Sequence, residues 1–273
     1  KDILDNYDSM AAVIIKDMDA IKKEYGRKRR TAIENAEEAV YEEKKMEEME
    51  VCFLMDRFGY MKLIDKNAYE RNKEAVHNEN KYVFNCMNTD KICIFTDTGK
   101  MHTIKAVDIP LGRFRDKGTP VDNLSNYDSS QERMLYVAPV GQLRSDRLLF
   151  VTKTSMCKLV EGAEFDVAKR TIASTKLADE DELIFIGSAS EMEQIVLQSH
   201  GGCFLRFLTQ EVSTMKKTAL GVRGMKLADD DYLEHAYLLA GHQEYTISYH
   251  DKEYALNKVR LAKRDTKGIK PRI

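Results

Sequence analysis

The sequence predicts a mainly β chain, a propeller-like ring of about five four-stranded blades preceded by a short helical segment. Three observations lead there. From Met49 onward, short apolar runs alternate with polar turns, the signature of strands rather than helices. The turns return at a roughly constant interval. An eight-residue segment also occurs twice: Lys176-Leu-Ala-Asp-Glu-Asp-Glu-Leu183 and Lys226-Leu-Ala-Asp-Asp-Asp-Tyr-Leu233 agree at six of eight positions and lie 50 residues apart. One small antiparallel sheet cannot bury both faces alone, so a repeat of about 40 to 50 residues implies stacked sheets around an axis.

The helical segment comes first. Ile14, Met18, Ile21 and Tyr25 fall at steps of four, three and four, which places them on one helical face, and Gly26 is the stop. The basic cluster Arg27, Lys28, Arg29 and Arg30 follows. Residues 34–50 then hold eight Glu among 17 residues, a composition suited to a solvated helix or acidic linker. The boundary falls near Glu48, giving a segment 1–48 and a β domain 49–273.

The apolar runs of the β domain are 51–55, 92–96, 148–152, 195–197 and 245–249. Taking Gly59, Gly99, Ser155, Gly202 and Glu253 as equivalent turn residues gives spacings of 40, 56, 47 and 51. Only the fifth turn, His250-Asp251-Lys252-Glu253, lacks both glycine and serine.

Composition narrows the class. The chain has 273 residues, 43% of them hydrophobic and 32% charged, enough apolar content to close a core and too much for disorder throughout. It contains no apolar run long enough to span a membrane and no signal-like start, so a cytoplasmic protein without a membrane role is expected. The five cysteines (Cys52, Cys86, Cys93, Cys157 and Cys203) are scattered and form no C-x-x-C pair, which reads as reduced core thiols. Net charge is −2 overall, −3 over residues 1–48 and +1 over residues 49–273. Nucleic-acid binding therefore requires the basic residues to be segregated onto one surface.

Several separate stretches together resemble one family. Tyr25-Gly-Arg-Lys-Arg-Arg-Thr31 looks like a Tyr-Gly-x-x-Arg-Arg-Thr motif at the end of a coiled-coil arm, and Phe58-Gly-Tyr-Met-Lys62 looks like a Gly-Tyr-x-Lys blade opening. Ile94-Phe-Thr-Asp-Thr-Gly-Lys100, Asp108-Ile-Pro110 and Lys117-Gly-Thr-Pro120 match a second blade, and Ala219-Leu-Gly-Val-Arg-Gly-Met-Lys-Leu227 a later one. Lys263-Arg264 with Lys267-Gly268 resembles an Arg-Gly-Gly-Lys-Gly ending in which Asp265 and Thr266 replace glycines. The chain thus resembles the C-terminal region of the A subunit of bacterial type IIA DNA topoisomerases, the group of DNA gyrase and topoisomerase IV.

That resemblance implies a β-pinwheel that holds duplex DNA along a basic outer edge. It also implies a larger enzyme: an A-subunit dimer with an upstream cleavage tyrosine, and a B subunit with ATPase activity, using ATP and magnesium. The fragment itself is expected to lack the catalytic tyrosine, to carry no cofactor or metal, and to have no strand-passage activity. Gyrase carries a glycine-rich box after its first blade, whereas the corresponding stretch here, residues 69–80, has no glycine. A topoisomerase IV-like subunit is therefore favoured over gyrase, and near-neutral charge agrees, since strong wrapping needs many phosphate contacts.

The basic residues carry the site reading. Lys62, Lys100, Lys158 and Arg206 lie in turns or the strands just after them in successive units, where a ring would place them at similar heights on its rim. Arg113, Arg115 and Lys117 form a loop cluster, as do Lys216 and Lys217 with Arg223, and Lys263, Arg264, Lys267 and Lys270 form another. Such side chains meet phosphates without reading sequence. Other chemistry fits poorly: Gly201-Gly202 reads as a turn, His200, His235 and His242 lack metal-ligand spacing, the acidic runs at 179–182 and 229–231 read as turns, and tyrosines such as Tyr82 and Tyr136 read as strand or core residues. A protein-docking propeller is the alternative of a different class.

Overall fold

The computed structural model describes residues 5–31, 47–241 and 244–271. The chain divides into two units, Lys1–Met46 and Glu47–Ile273. In the first, helix α1 spans Tyr7–Tyr25. The Asn6 side chain accepts the Asp8 amide at 3.0 Å at its start, and the Gly26 amide donates to the Lys22 carbonyl at 2.8 Å at its end. The Ile14, Met18, Ile21 and Tyr25 stripe is exposed. Most of the acidic run, and His242, lie outside the described residues.

The second unit is a series of antiparallel sheets joined by strand exchange. Hairpin β1 (Glu50–Asp56) and β2 (Tyr60–Asp65) pairs with β3 (Asn80–Met87) on the β1 side. The next hairpin is β4 (Lys91–Thr96) and β5 (Lys100–Lys105); the chain then lays β6 (Thr119–Pro120) against β2 of the preceding sheet and returns as β7 (Met134–Pro139) beside β4. The pattern repeats. Strands β8 (Arg147–Thr152) and β9 (Met156–Glu161) are followed by β10 (Thr171–Ala173), which joins β5, and β11 (Leu183–Ser188), which joins β8. Strands β12 (Gln194–Ser199) and β13 (Phe204–Leu208) are followed by β14 (Val222–Arg223), which joins β9, and β15 (Leu233–Leu239), which joins β12. After β16 (Thr246–Tyr249) and β17 (Lys252–Ala255), bridges Arg206–Leu261 and Phe204–Ile269 bring the chain to β13.

Three sheets therefore have four strands, the fourth has three and those bridges, and the fifth is a two-stranded hairpin among the described residues. This departs from five complete blades for a topological reason: each sheet's outer strand is donated by the unit that follows it, and the fifth hairpin receives none among the described residues.

Period-two alternation builds the core between sheets. In β1, Val51, Phe53 and Met55 face the second sheet and pack with Ile92, Ile94 and Ile104. Phe95 and Met101 face the third sheet, meeting Phe150 and Val160, while Leu149, Val151 and Leu159 meet Ile195, Leu197 and Phe207 of the fourth. Val196 and Phe204 then meet Leu256 and Val259 of the fifth unit. Each such large apolar side chain, once buried, contributes about 1.5–3 kcal/mol. The five cysteines are free thiols, and burial pushes Cys157 up to about 12. Tyr82 and Tyr136 are half-buried strand residues whose phenols burial also raises to about 12.

The turn residues occupy one conformation: Gly59, Gly99, Ser155 and Gly202 have φ of 82°, 74°, 73° and 79°. Serine tolerates this position because its hydroxyl accepts the Met225 amide at 2.7 Å, binding the hairpin to the incoming chain. In the fifth hairpin the left-handed residues are His250 and Asp251, at 50° and 59°, so Asp251 rather than Glu253 is the equivalent.

The outward face of the first sheet has a different cover. Where later units send a strand to their neighbour, the segment between β2 and β3 folds as helices α2 (Lys66–Arg71) and α3 (Lys73–Glu79). Asp65 caps α2 through the Ala68 amide at 2.8 Å, and Val76 of α3 is fully buried against Cys52, Leu54 and Ile64. The glycine-free stretch is this helical pair. It occupies the face of the first sheet opposite the second.

Candidate nucleic-acid interface

The loops that carry each donated strand lie along the outer edge of the preceding sheet. Parallel bridges Leu63–Leu111, Leu159–Thr214 and Arg206–Leu261 fix three of them in the same register, and a Thr103 amide to Arg170 carbonyl bond of 2.8 Å fixes the fourth. The register aligns Arg113, Lys216 and Lys263 at one position and Phe114, Lys217 and Arg264 at the next. The sequence-predicted loop clusters are thus equivalent features of successive junctions.

Exposure separates the candidates. Arg113, Arg115, Lys117, Lys216, Lys263, Lys267 and Lys270 are exposed. The Lys117 ammonium lies 4.4 Å from the Tyr60 ring centroid, and Lys216 approaches the Glu164 carboxylate at 3.4 Å while remaining 82% exposed. Lys217 is half-buried, its ammonium donating to the Glu164 carbonyl at 2.9 Å. Arg223 pairs with Asp265, one contact being 3.0 Å. Arg264 is tied inward, its backbone amide to the Glu211 carboxylate at 2.9 Å and its guanidinium to the Glu211 carbonyl at 3.2 Å.

Lys62, Lys158 and Arg206 make inward-directed contacts, Lys158 buried and the other two half-buried. The Lys62 ammonium donates to the carbonyls of Phe114 and, at 2.5 Å, Asp116. The Lys158 ammonium donates to Lys217 at 2.8 Å and Ala219 at 2.7 Å. Burial lowers both, Lys158 to about 8, with Glu164 pulling weakly the other way. Arg206 donates to the Asn257 carbonyl. Counted from the left-handed turn residue, Lys62 and Lys158 are third, Lys100 first and Arg206 fourth, so the four are not equivalent.

In the second sheet His102 takes the third position. It contacts the Glu132 carboxylate through Nε2 at 3.0 Å and the Thr171 hydroxyl through Nδ1 at 3.1 Å, while Lys100 donates to Glu132 at 3.0 Å. Burial alone would raise the Glu132 carboxyl, but hydrogen bonds with His102, Lys100 and Thr96 hold it at about 2.

The two acidic runs sit at hairpin ends. Asp181 accepts the Thr154 amide at 3.1 Å and hydroxyl at 2.6 Å, and Asp231 accepts the Gly201 amide at 2.8 Å, so the two acidic runs cap hairpin turns. His200 is an exposed turn residue stacked on Tyr232 at 4.7 Å. The outer-edge loops carry exposed basic residues together with Asp116, Glu164 and Asp265, and the two acidic runs close hairpin ends. Sequence reasoning does not reach the exposed pair Lys169 and Arg170 at the remaining junction. By the backbone register Arg170 stands where Pro110 and Ser213 do, so this pair is not equivalent to Arg113, Lys216 and Lys263.

A family model described as "DNA gyrase C-terminal domain, beta-propeller" matches residues 90–129, 146–190 and 193–240, the second, third and fourth units. The DNA gyrase A protein of Clostridium acetobutylicum is 29% identical over 235 residues, covering 82% of this chain and 28% of that protein. The DNA gyrase A protein of Ureaplasma parvum is 24% identical over 286 residues, covering 98% of this chain and 34% of that protein, so the chain spans about a third or less of these relatives. Among solved structures, a C-terminal domain of DNA topoisomerase IV superposes with a TM-score of 0.71 at 22% identity, over 82% of this chain and 73% of that one. A DNA gyrase A C-terminal domain gives 0.55 at 19%, over 81% and 76%. Fold, repeat register and family match agree: the chain resembles the C-terminal domains of the A subunits of bacterial type IIA topoisomerases.

Proposed function

We propose that this domain binds duplex DNA without sequence preference and presents or bends it for ATP-dependent strand passage by a type II topoisomerase, in the manner of topoisomerase IV. The observation that carries the reading is a recurrence: exposed basic residues occupy equivalent positions, Arg113, Lys216 and Lys263, in successive outer-edge loops, while the two acidic runs cap hairpin ends. Such recurrence lets a near-neutral domain attract a polyanion. In this reading residues 1–48 are the end of a coiled-coil arm and its linker. The whole protein is a cytoplasmic, nucleoid-associated A-subunit dimer working with an ATPase B subunit, ATP and magnesium, and the fragment alone performs no strand passage.

The glycine-free stretch supports the topoisomerase IV-like form, because it folds as α2 and α3 against the first sheet instead of offering a flexible glycine-rich segment. A gyrase-like form is the second reading, favoured by the two relatives described above, which are gyrase A subunits. The test is to bind the chain to nicked circular DNA, ligate, strip the protein and resolve topoisomers at two salt concentrations. Salt-sensitive binding with unchanged linking number supports the proposal. A shift in linking number turns it to gyrase, and no binding at low salt overturns DNA binding in favour of protein docking.

A further inference from the structure

The duplicated Lys-Leu-Ala-Asp segment does more than cap turns. Its leucines are core residues, Leu177 packing between the second and third sheets and Leu227 between the third and fourth. Its last aspartates, Asp181 and Asp231, close hairpins. The leading lysines, Lys176 and Lys226, are exposed, and their ammonium groups make no hydrogen bond or ion pair among the described residues. Each nevertheless stands at a fixed place, because its backbone amide donates across the seam to the next incoming loop: Lys176 to the Lys217 carbonyl at 3.2 Å, Lys226 to the Thr266 carbonyl at 3.0 Å.

At the first of these seams lies an open notch of about 560 Å³. Lys169, Thr171, Ile172, Thr175 and Lys176 of one segment line it together with Lys217 and Thr218 of the next incoming loop, with no carboxylate among the lining residues. Glu164 is turned to Lys216 at 3.4 Å and to the Lys217 amide at 3.1 Å. The Thr171 and Thr175 hydroxyls are engaged within the protein, and the Lys217 ammonium is held by the Glu164 carbonyl, so the exposed Lys169 and Lys176 ammonium groups, without a carboxylate in the lining, are what an anion would meet. The apolar side chain of Ile172 in the same wall suits a sugar rather than a second charge.

We propose that this notch is a phosphodiester-binding site that grips one strand of duplex DNA at the seam between the second and third sheets, with Lys169 and Lys176 as the phosphate contacts. The proposal rests on the DNA-binding reading above and deepens it by fixing a point on the path. Lysine is a mobile point charge, so the grip sets position without reading bases. The Lys176 backbone bond makes it a property of the seam rather than of either sheet.

The test measures salt-dependent affinity of the full chain for a linear duplex of mixed sequence, for wild type, the double variant Lys169→Gln/Lys176→Gln and the charge-preserving Lys169→Arg/Lys176→Arg. Each lost contact lowers the log–log salt slope by about 0.9, so the Gln pair is expected to lower it by about 1.8. The Arg pair keeps the wild-type slope. A wild-type slope in the Gln pair overturns the notch and leaves the domain's DNA binding standing. A Gln-like loss in the Arg pair also overturns it, since the effect is then not one of charge. Absence of wild-type binding at low salt overturns the parent reading and the notch together.

Discussion

The Lys158 ammonium sits 2.8 Å from the Lys217 carbonyl, one lysine serving as scaffold for the loop that carries another. Lys158 is 1% exposed, and Lys62 repeats its arrangement two sheets earlier, on the carbonyls of the aligned residues Phe114 and Asp116. A loop of exposed cations repels itself, and a buried cation bound to its carbonyls fixes its shape from behind. The loop that carries Lys217 is therefore positioned by a charge that does not reach solvent.

Lys158→Met tests this scaffold. The Lys217 carbonyl would keep the Lys176 amide at 3.2 Å, but the Ala219 carbonyl has no other donor among the described residues. One buried unpaired acceptor costs about 1–3 kcal/mol, and urea unfolding should show a loss in that range. An unchanged midpoint at constant slope would sink the scaffold reading.

The same lysine has a pH signature. Burial lowers it from 10.5 to about 8, so below pH 8 it is charged in both folded and unfolded states and carries a constant desolvation penalty. Between about 8 and 10.5 the unfolded chain binds a proton that the folded chain does not, and the contribution of Lys158 to stability rises with pH. The stability difference between wild type and Lys158→Met should widen across that window in denaturant titrations. A flat difference would show that the ammonium is not desolvated in the fold.

Glu132 behaves oppositely at the acid end. Its carboxyl is held at about 2 against an ordinary 4.5, so its contribution is present above pH 4.5 and lost as pH falls toward 2. Glu132→Gln should cost about 1.5–3 kcal/mol at neutral pH, the range for hydrogen bonds to charged groups. The gap to wild type should close on acidification. A gap independent of pH would assign the loss to packing instead.

How much of this was legible follows from which signals are local. The strands of the first four hairpins can be read because alternation and the left-handed turn residue lie within a few positions, as at Phe53 to Gly59. The fate of Lys62 and Lys158 cannot, because their acceptors lie 52 and 59 residues away and arrive only through strand exchange. Helices α2 and α3 show as a missing glycine-rich box, but their burial depends on the face of β1 that carries Cys52 and Leu54. The Arg223–Asp265 pair spans 42 residues and is likewise invisible, although Asp265 itself stands out as a replacement for glycine.

Val76→Ala tests the helical cover of the first sheet. Val76 is 0% exposed, and shortening it should cost about 1–3 kcal/mol, between the values for single-methyl and Leu→Ala deletions. Hydrogen exchange should quicken over residues 66–79 and in β1 and β2, and not in β8 or β9. Uniform quickening would mean that the sheets unfold as one unit and that α3 is no local cover.

Asp265→Gly should strengthen DNA binding. Asp265 has a φ of 65°, a conformation that glycine adopts freely, so the backbone accepts the change with little strain. The Arg223 guanidinium loses its partner, and the exposed pair it leaves is worth only about 0–1 kcal/mol of stability. One carboxylate disappears from a loop that also carries Lys263 and Lys267, and one guanidinium becomes free to meet phosphate. The salt slope of DNA binding should steepen by about 0.9, the increment for one added contact, with tighter binding at every salt concentration below saturation. If slope and affinity stay at wild-type values, the DNA path does not pass Arg223, and the contacts belong to the earlier seams alone.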